Sequence, residues 1–140
     1  MTRVYRLDIA PCPKPRMTRA DRWKKRKSVV KFFAFRDAVK QYKESNVVKQ
    51  SWNLIHGTFY HIPNLEFETL DIEFHVPMPK SWSKKKKTEM NGKPHQQRPD
   101  LDNYLKAWKD SVYEEDAIVW KVKATKLWTD GIGHIKLSTL

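Results

Sequence analysis

Leu70, Ile72, Phe74 and Val76 alternate with Asp71, Glu73 and His75, and no other stretch restricts the fold as much. Successive side chains of an extended strand point to opposite faces. The period of two over residues 66–76 therefore predicts a strand with one face on a core and the other toward water. A second period appears at Leu101, Leu105, Trp108 and Val112, spaced +4, +3, +4, while Asp102, Lys106, Lys109 and Tyr113 share another face. That is the pattern of an amphipathic helix.

The remaining segments fill in an alternation of α and β elements. Residues 4–10 read as a short strand that the prolines at 11, 13 and 15 end, because proline lacks a ladder donor and fixes the backbone. From about residue 20 to residue 45 there is no Gly or Pro, and Trp23, Val30, Phe33, Ala34, Asp37, Ala38 and Gln41 fall at helical spacings. Asp21 lies near the positive end of that helix. Residues 47–63 are ambiguous, with a short strand around residues 54–61. Residues 77–98 hold three prolines, a glycine and the run Lys84-Lys85-Lys86-Lys87, and read as a long basic surface loop. Residues 117–128 and 132–137 read as strands, with Asp130-Gly131 between them as a hairpin signal. The expectation is one α+β domain over residues 1–140, a small mixed β-sheet with two main helices in the order β-α-β-α-β-β.

Lys and Arg number 28 against 16 Asp and Glu, a formal charge of +12. Such an excess points to a polyanionic partner and to association that weakens with salt. The single Cys12 cannot form an intrachain disulfide, which suits a reducing compartment. No apolar run approaches membrane-spanning length, and the first residues, Met1-Thr2-Arg3-Val4-Tyr5-Arg6, lack the apolar core of a signal peptide. A soluble protein with no membrane partner, in the cytoplasm, is expected.

Against this basic background, Asp100, Asp102 and Asp116 gather with Lys106 in under twenty residues. Carboxylate oxygens are the natural ligands of Mg²⁺ or Mn²⁺, and a cation held by two or three of them binds a phosphodiester oxygen and activates water. If Asp100 caps the second helix, Asp102 lies in its first turn and Lys106 one turn above. Asp116 is expected to open the next strand, so that a helix start packed against a strand start would bring the carboxylates together. Lys106 would then oppose charge developing on the phosphoryl oxygens, and Asn103 would hold a carboxylate or the loop. The plainer reading stays open beside this one. Asp at a helix start is commonly a cap, Asp102 with Lys106 is an ordinary i,i+4 pair, and Asp116 after Glu114 and Glu115 can be a solvated loop residue.

Residues 14–31 contain nine Lys or Arg against one Asp, with Trp23 among them. Arg16, Arg19, Arg22, Lys24 and Lys25 there can follow a phosphate backbone, as can Lys84, Lys85, Lys86 and Lys87 in the loop and Arg98 beside the acidic cluster. The alternative use of each run is a solvated face. Trp82 suits either base stacking or anchoring of its loop. His75, His95 and His134 show no metal-ligand spacing.

Taken together, Pro99-Asp100-Leu101-Asp102-Asn103-Tyr104-Leu105-Lys106, then Asp110, then Glu115-Asp116-Ala117-Ile118-Val119, resemble the signature of the RusA-type Holliday junction resolvases. Met78-Pro79-Lys80-Ser81-Trp82-Ser83-Lys84-Lys85-Lys86, Gly92-Lys93-Pro94-His95 and Pro15-Arg16-Met17-Thr18-Arg19 are similar to the phage branch of that family. The resemblance covers most of the chain but not residues 46–65. It implies metal-binding roles for Asp100, Asp102 and Asp116 and an essential Lys106. It also implies a Mg²⁺-dependent homodimer that places paired, symmetric cuts in branched, four-way DNA. At the final acidic pair the chain has Glu115-Asp116 rather than two aspartates, which adds Glu115 to the candidates. Two other readings remain. One is a non-catalytic, basic nucleic-acid-binding protein. The other is a nuclease of the PD-(D/E)xK kind, which fits poorly because its lysine belongs on a following strand, and Lys106 sits in a helix.

Overall fold

The computed structural model describes residues 4–55 and 65–138, with the side chains of Arg22 and residues 45–55 left out. Strand β1 is Val4–Leu7, helix α1 Lys27–Ile55 and strand β2 Thr69–Pro77. Helices α2, Lys84–Met90, and α3, Leu101–Val112, follow, and strands β3, Lys121–Thr129, and β4, His134–Ser138, close the fold. Short 3₁₀ turns occupy Arg19–Arg22 and Asp116–Ile118. One mixed sheet of four strands runs in the order β1-β4-β2-β3.

β2 behaves as its alternation requires. Leu70, Ile72 and Phe74 are buried on the face covered by α1 and α3, together with Leu7, Ile135 and Leu137 from the flanking strands. Phe32, Phe35 and Val39 of α1 and Tyr104, Ala107, Trp108 and Val112 of α3 complete this core. Burying each large apolar side chain contributes about 1.5–3 kcal/mol. On the opposite face the register places Asp71, Glu73 and His75 beside Lys123, Thr125 and Leu127 of β3. The rings of His75 and His134 stack there at 4.2 Å, and His75 Nε2 lies 3.0 Å from Glu73 Oε1.

Four expectations need correction. The stripe that α1 buries is Val29, Phe32, Phe35 and Val39, whereas Val30 and Phe33 are exposed and Trp23 precedes the helix. The run Val29-Val30-Lys31-Phe32-Phe33-Ala34-Phe35 has apolar residues on two faces, so spacing alone does not choose between them. Residues 54 and 55 end α1 instead of starting a strand, and the rest of that suggested strand lies outside the described residues. The strands on either side of Asp130-Gly131 do not form a hairpin. β3 pairs parallel with β2, and β4 pairs antiparallel with the other edge of β2. The turn therefore crosses the end of β2, using the positive φ of Gly131 and the missing side chain of Gly133, whose Cβ would stand 2.8 Å from Pro77 Cγ.

The fourth correction is in residues 77–98, which contain α2 and a short ladder. Ser83 caps α2 by accepting from the Lys86 amide at 3.2 Å. Trp82 packs on Trp128 with ring centres 4.8 Å apart, His95 packs on the same indole at 4.0 Å, and Lys86 Nζ sits 4.1 Å above Trp82. Trp82 is thus a loop anchor. The Gly92 amide donates to Trp128 O, the Trp128 amide to Lys93 O and the His95 amide to Lys126 O, which lays residues 92–95 along the outer edge of β3.

Burial pulls the imidazoles of His75 and His95 below their ordinary 6.5, assisted by the positive charge of Lys126 in the case of His95. The unfolded chain thus takes up protons in a range where the folded chain does not. Stability is complete above 6.5 and falls as pH drops below it toward the folded-state values. The melting temperature is expected to decrease between about pH 7.5 and about pH 5.5, and His95→Phe, which keeps a ring on Trp128, should flatten the slope. A melting temperature constant over that range would contradict this assignment.

Candidate active site

The start of α3 is the best-defined part of the site. Lys126, on β3, donates from Nζ to Gln97 O at 2.6 Å and to Pro99 O at 2.7 Å. From the other side the Lys14 amide donates to Asn103 O at 3.0 Å, while Lys14 Nζ lies 3.2 Å from Asp110 Oδ2 and 4.1 Å above the Phe32 ring. α3 is thereby held between strand β3 and the N-terminal strap. Its inward side buries Tyr104, Ala107, Trp108, Ser111 and Val112, which turns Asp102 and Lys106 outward.

Asp100 is the N-cap residue with extended backbone, yet its carboxylate makes no capping hydrogen bond. Asp102 follows in the first turn and is exposed, as is Lys106 one turn later. Among the described residues Asp102 and Lys106 form no ion pair with each other, so the ordinary i,i+4 pairing is not how they are used. Two carboxylates on one turn, neither spent on a local partner, are hard oxygen donors of the type that Mg²⁺ takes.

Asp116 stands at the other end of α3. It opens the 3₁₀ turn Asp116–Ile118 rather than a strand, and its Oδ2 lies 3.8 Å from Lys109 Nζ. A helix of 12 residues spans about 18 Å, with Lys106 and Lys109 along it between the two acidic positions. The structure thus brings Asp100 and Asp102 onto one turn and Asp116 to Lys109. Among the described residues no three His, Cys, Asp or Glu are grouped to hold a metal ion. Glu115 caps the 3₁₀ turn by accepting from the Ala117 amide at 3.1 Å, and the Glu114 amide donates to Glu66 Oε1 at 2.9 Å. Nearby, burial pushes the Tyr113 phenol up to about 12, and its hydroxyl donates to Phe67 O at 2.7 Å.

The basic residues divide into two regions. Lys84, Lys85 and Lys86 are exposed on α2, with Lys87 partly covered, and Arg98 is exposed two residues before Asp100. Arg16, Arg19, Lys24 and Lys25 are exposed around the Arg19–Arg22 turn. Arg22 belongs to that turn by its backbone. Asp21 closes this turn by accepting from the Thr18 amide and from Arg26, whose guanidinium holds the Asp21 carboxyl well below the usual carboxylate range. The contacts of Lys14 with Asp110, of Lys109 with Asp116 and of Lys126 with residues 97 and 99 escaped the sequence reading. Lys126 did leave a signal, because it interrupts the apolar positions Val122, Ala124 and Trp128 of one strand face.

Free acidic oxygens on a surface otherwise suited to polyanions are a feature of nucleases, which need a cation where the phosphate must come. Among the described residues no helix is long and apolar enough to cross a membrane. The family model described as Endodeoxyribonuclease RusA matches residues 8–138, and the chain belongs to that family. Membership makes it a structure-selective DNA endonuclease acting on Holliday junctions. No curated protein matches the sequence.

Since the Asp100 carboxylate bonds to no helix amide, Asp100→Ala is expected to change the folding free energy by less than about 0.5 kcal/mol. A capping aspartate would cost about 1 kcal/mol or more when lost. Urea unfolding of the two proteins measures the difference, and a loss of that size would return Asp100 to a capping role.

Proposed function

We propose that this endonuclease is Mg²⁺-dependent, with Mn²⁺ as a substitute, and that it resolves four-way DNA junctions by paired, symmetric phosphodiester cuts. The observation that carries the reading is the turn holding Asp100 and Asp102, whose carboxylates are committed to nothing else in the fold. Asp100 and Asp102 would hold the cation; the family resemblance implies Asp116 as a third acidic ligand, a role that requires its turn to move toward the α3 start from its place beside Lys109. A cation bound there supplies Lewis-acid polarisation of a phosphodiester oxygen and lowers the pKa of the attacking water. Lys106, exposed one turn above Asp102, offsets negative charge developing on the phosphoryl oxygens. Arg98 and the α2 lysines hold the phosphate backbone on the near side, and the basic turn before α1 extends the track. The reaction would take place in the cytoplasm, where the DNA substrate is.

Asp100→Asn, Asp102→Asn and Asp116→Asn are each expected to abolish cleavage of a synthetic four-way junction while junction binding persists. An amide removes ligand charge without adding bulk, and the basic surface is untouched. Lys106→Ala should lower the cleavage rate by roughly 10²-fold, the scale of one lost charge-stabilising group, with far less change in affinity. A variant cutting at near wild-type rate takes its residue out of the site. Junction binding without divalent-metal-dependent cutting by the unaltered protein would favour a non-catalytic binding role instead.

A four-way junction has approximate two-fold symmetry, so two matched cuts call for two copies of the site related by the same symmetry. A homodimer with both subunits catalytic is therefore part of the proposal. Sedimentation equilibrium should give a dimer with junction DNA present, and a monomer with and without DNA would rule the arrangement out.

A further inference from the structure

We infer that Lys126 is a positioning residue for the nuclease site, clamping residues 97–99 and so fixing where Asp100 and Asp102 stand. The inference rests on the proposed role of those two aspartates.

Lys126 pairs in register with Phe74, so it lies on the sheet face that the helices cover, between Ala124 and Trp128. Lys126 is half-buried there, and taking an ammonium partly out of water costs desolvation that an apolar residue at that position would avoid. The ammonium offsets this cost with two charge-assisted hydrogen bonds, to Gln97 O at 2.6 Å and Pro99 O at 2.7 Å. Both acceptors are main-chain carbonyls, and Pro99 O belongs to the peptide that joins Pro99 to Asp100. The loop has few other ties. Among the described residues, Gln96, Gln97, Arg98 and Pro99 make no backbone–backbone hydrogen bond, the ladder on β3 having stopped at the His95 amide. The Lys126 side chain thus continues by another means the attachment that the strip on β3 began.

A ligand turn held this way keeps its carboxylates in one place before DNA or metal arrives. Sites of this kind require positions good to about 0.5 Å, and a misplacement of about 1 Å costs on the order of 10²-fold in rate. Lys126 donates inward to the loop, so its action on the reaction passes through the aspartates and not through contact with DNA.

Lys126→Met keeps the unbranched stem and removes every donor, Lys126→Gln leaves one neutral donor group, and Lys126→Arg retains charge with a planar fork. In Lys126→Met, kcat on a saturating four-way junction should fall roughly 10- to 100-fold. The Mg²⁺ concentration for half-maximal rate should rise, and junction Kd should stay within about threefold. Lys126→Gln should lie between, and Lys126→Arg should restore most of the rate and the metal response. Amide hydrogen exchange in the metal-free, DNA-free protein should quicken at Asn103 and Tyr104, whose amides donate to Asp100 O, in Lys126→Met and stay unchanged in β2. Exchange reads the clamp without reference to cleavage, so it separates failure of this inference from failure of the assignment of Asp100 and Asp102. Unchanged exchange at Asn103 and Tyr104, an unaltered kcat and metal response, or a Kd that weakens while kcat holds would each overturn the positioning role. The intermediate variants decide the matter if Lys126→Met does not fold.

Discussion

β2 is hydrogen-bonded along both edges, parallel to β3 on one side and antiparallel to β4 on the other, and every other element is placed by that double pairing. A parallel neighbour cannot be reached by a tight turn, so the chain must cross from the end of β2 back to the start of β3. α2 and α3 occupy that crossover, and α3 consequently lies on the apolar face of β2 with Trp108 buried beneath it. The outward side of α3, which carries Asp102 and Lys106, is therefore set by the alternation of four side chains in a strand some thirty residues earlier.

The charges follow the same geometry. In a chain of net charge +12, Lys14 and Lys126 are turned inward to hold α3 from two sides, and the exposed lysines and arginines are left to the surface. The acidic residues show a comparable division of labour. Asp21 and Glu115 serve their local turns, Asp110 receives Lys14, and Glu66 receives an amide. Asp100 and Asp102 serve no such purpose, and they stand two residues apart at the start of one helix.

Legibility from sequence varied with how many faces a segment has to satisfy. β2 and α3 each turn one main face to the core, and their periods give the element type and that face, although His75 on the other side of β2 and Tyr113, which the spacing groups with Asp102 and Lys106, are buried as well. α1 has apolar residues on two faces at its start, so its existence was clear while its buried stripe was not. Asp130-Gly131 reports a sharp turn but carries no information about which strands pair beyond it, and β2 took the place between β3 and β4. α2 buries no residue of its own and depends on Ser83 and on the Trp82–Trp128 contact, neither of which leaves a helical period. For the site, the acidic motif was readable because residue type and close spacing sufficed. The distance from Asp116 to the α3 start and the grip of Lys126 depend on tertiary placement, and only a lysine on an otherwise apolar strand face hinted at the second.

The parallel β2–β3 pair also orders the assembly of the molecule in time. Its two strands are separated by more than forty residues, so the entropy of closing that segment is met before their ladder gives anything back. A nascent chain that has emerged as far as Trp108 already contains Asp100 and Asp102, but neither the strand that completes the sheet beside β2 nor the lysine that grips the loop ahead of them. The acidic turn thus takes its final position only after β3 and β4, within the last twenty residues of the chain, have docked, and a copy synthesised only as far as α3 is unable to present it to DNA.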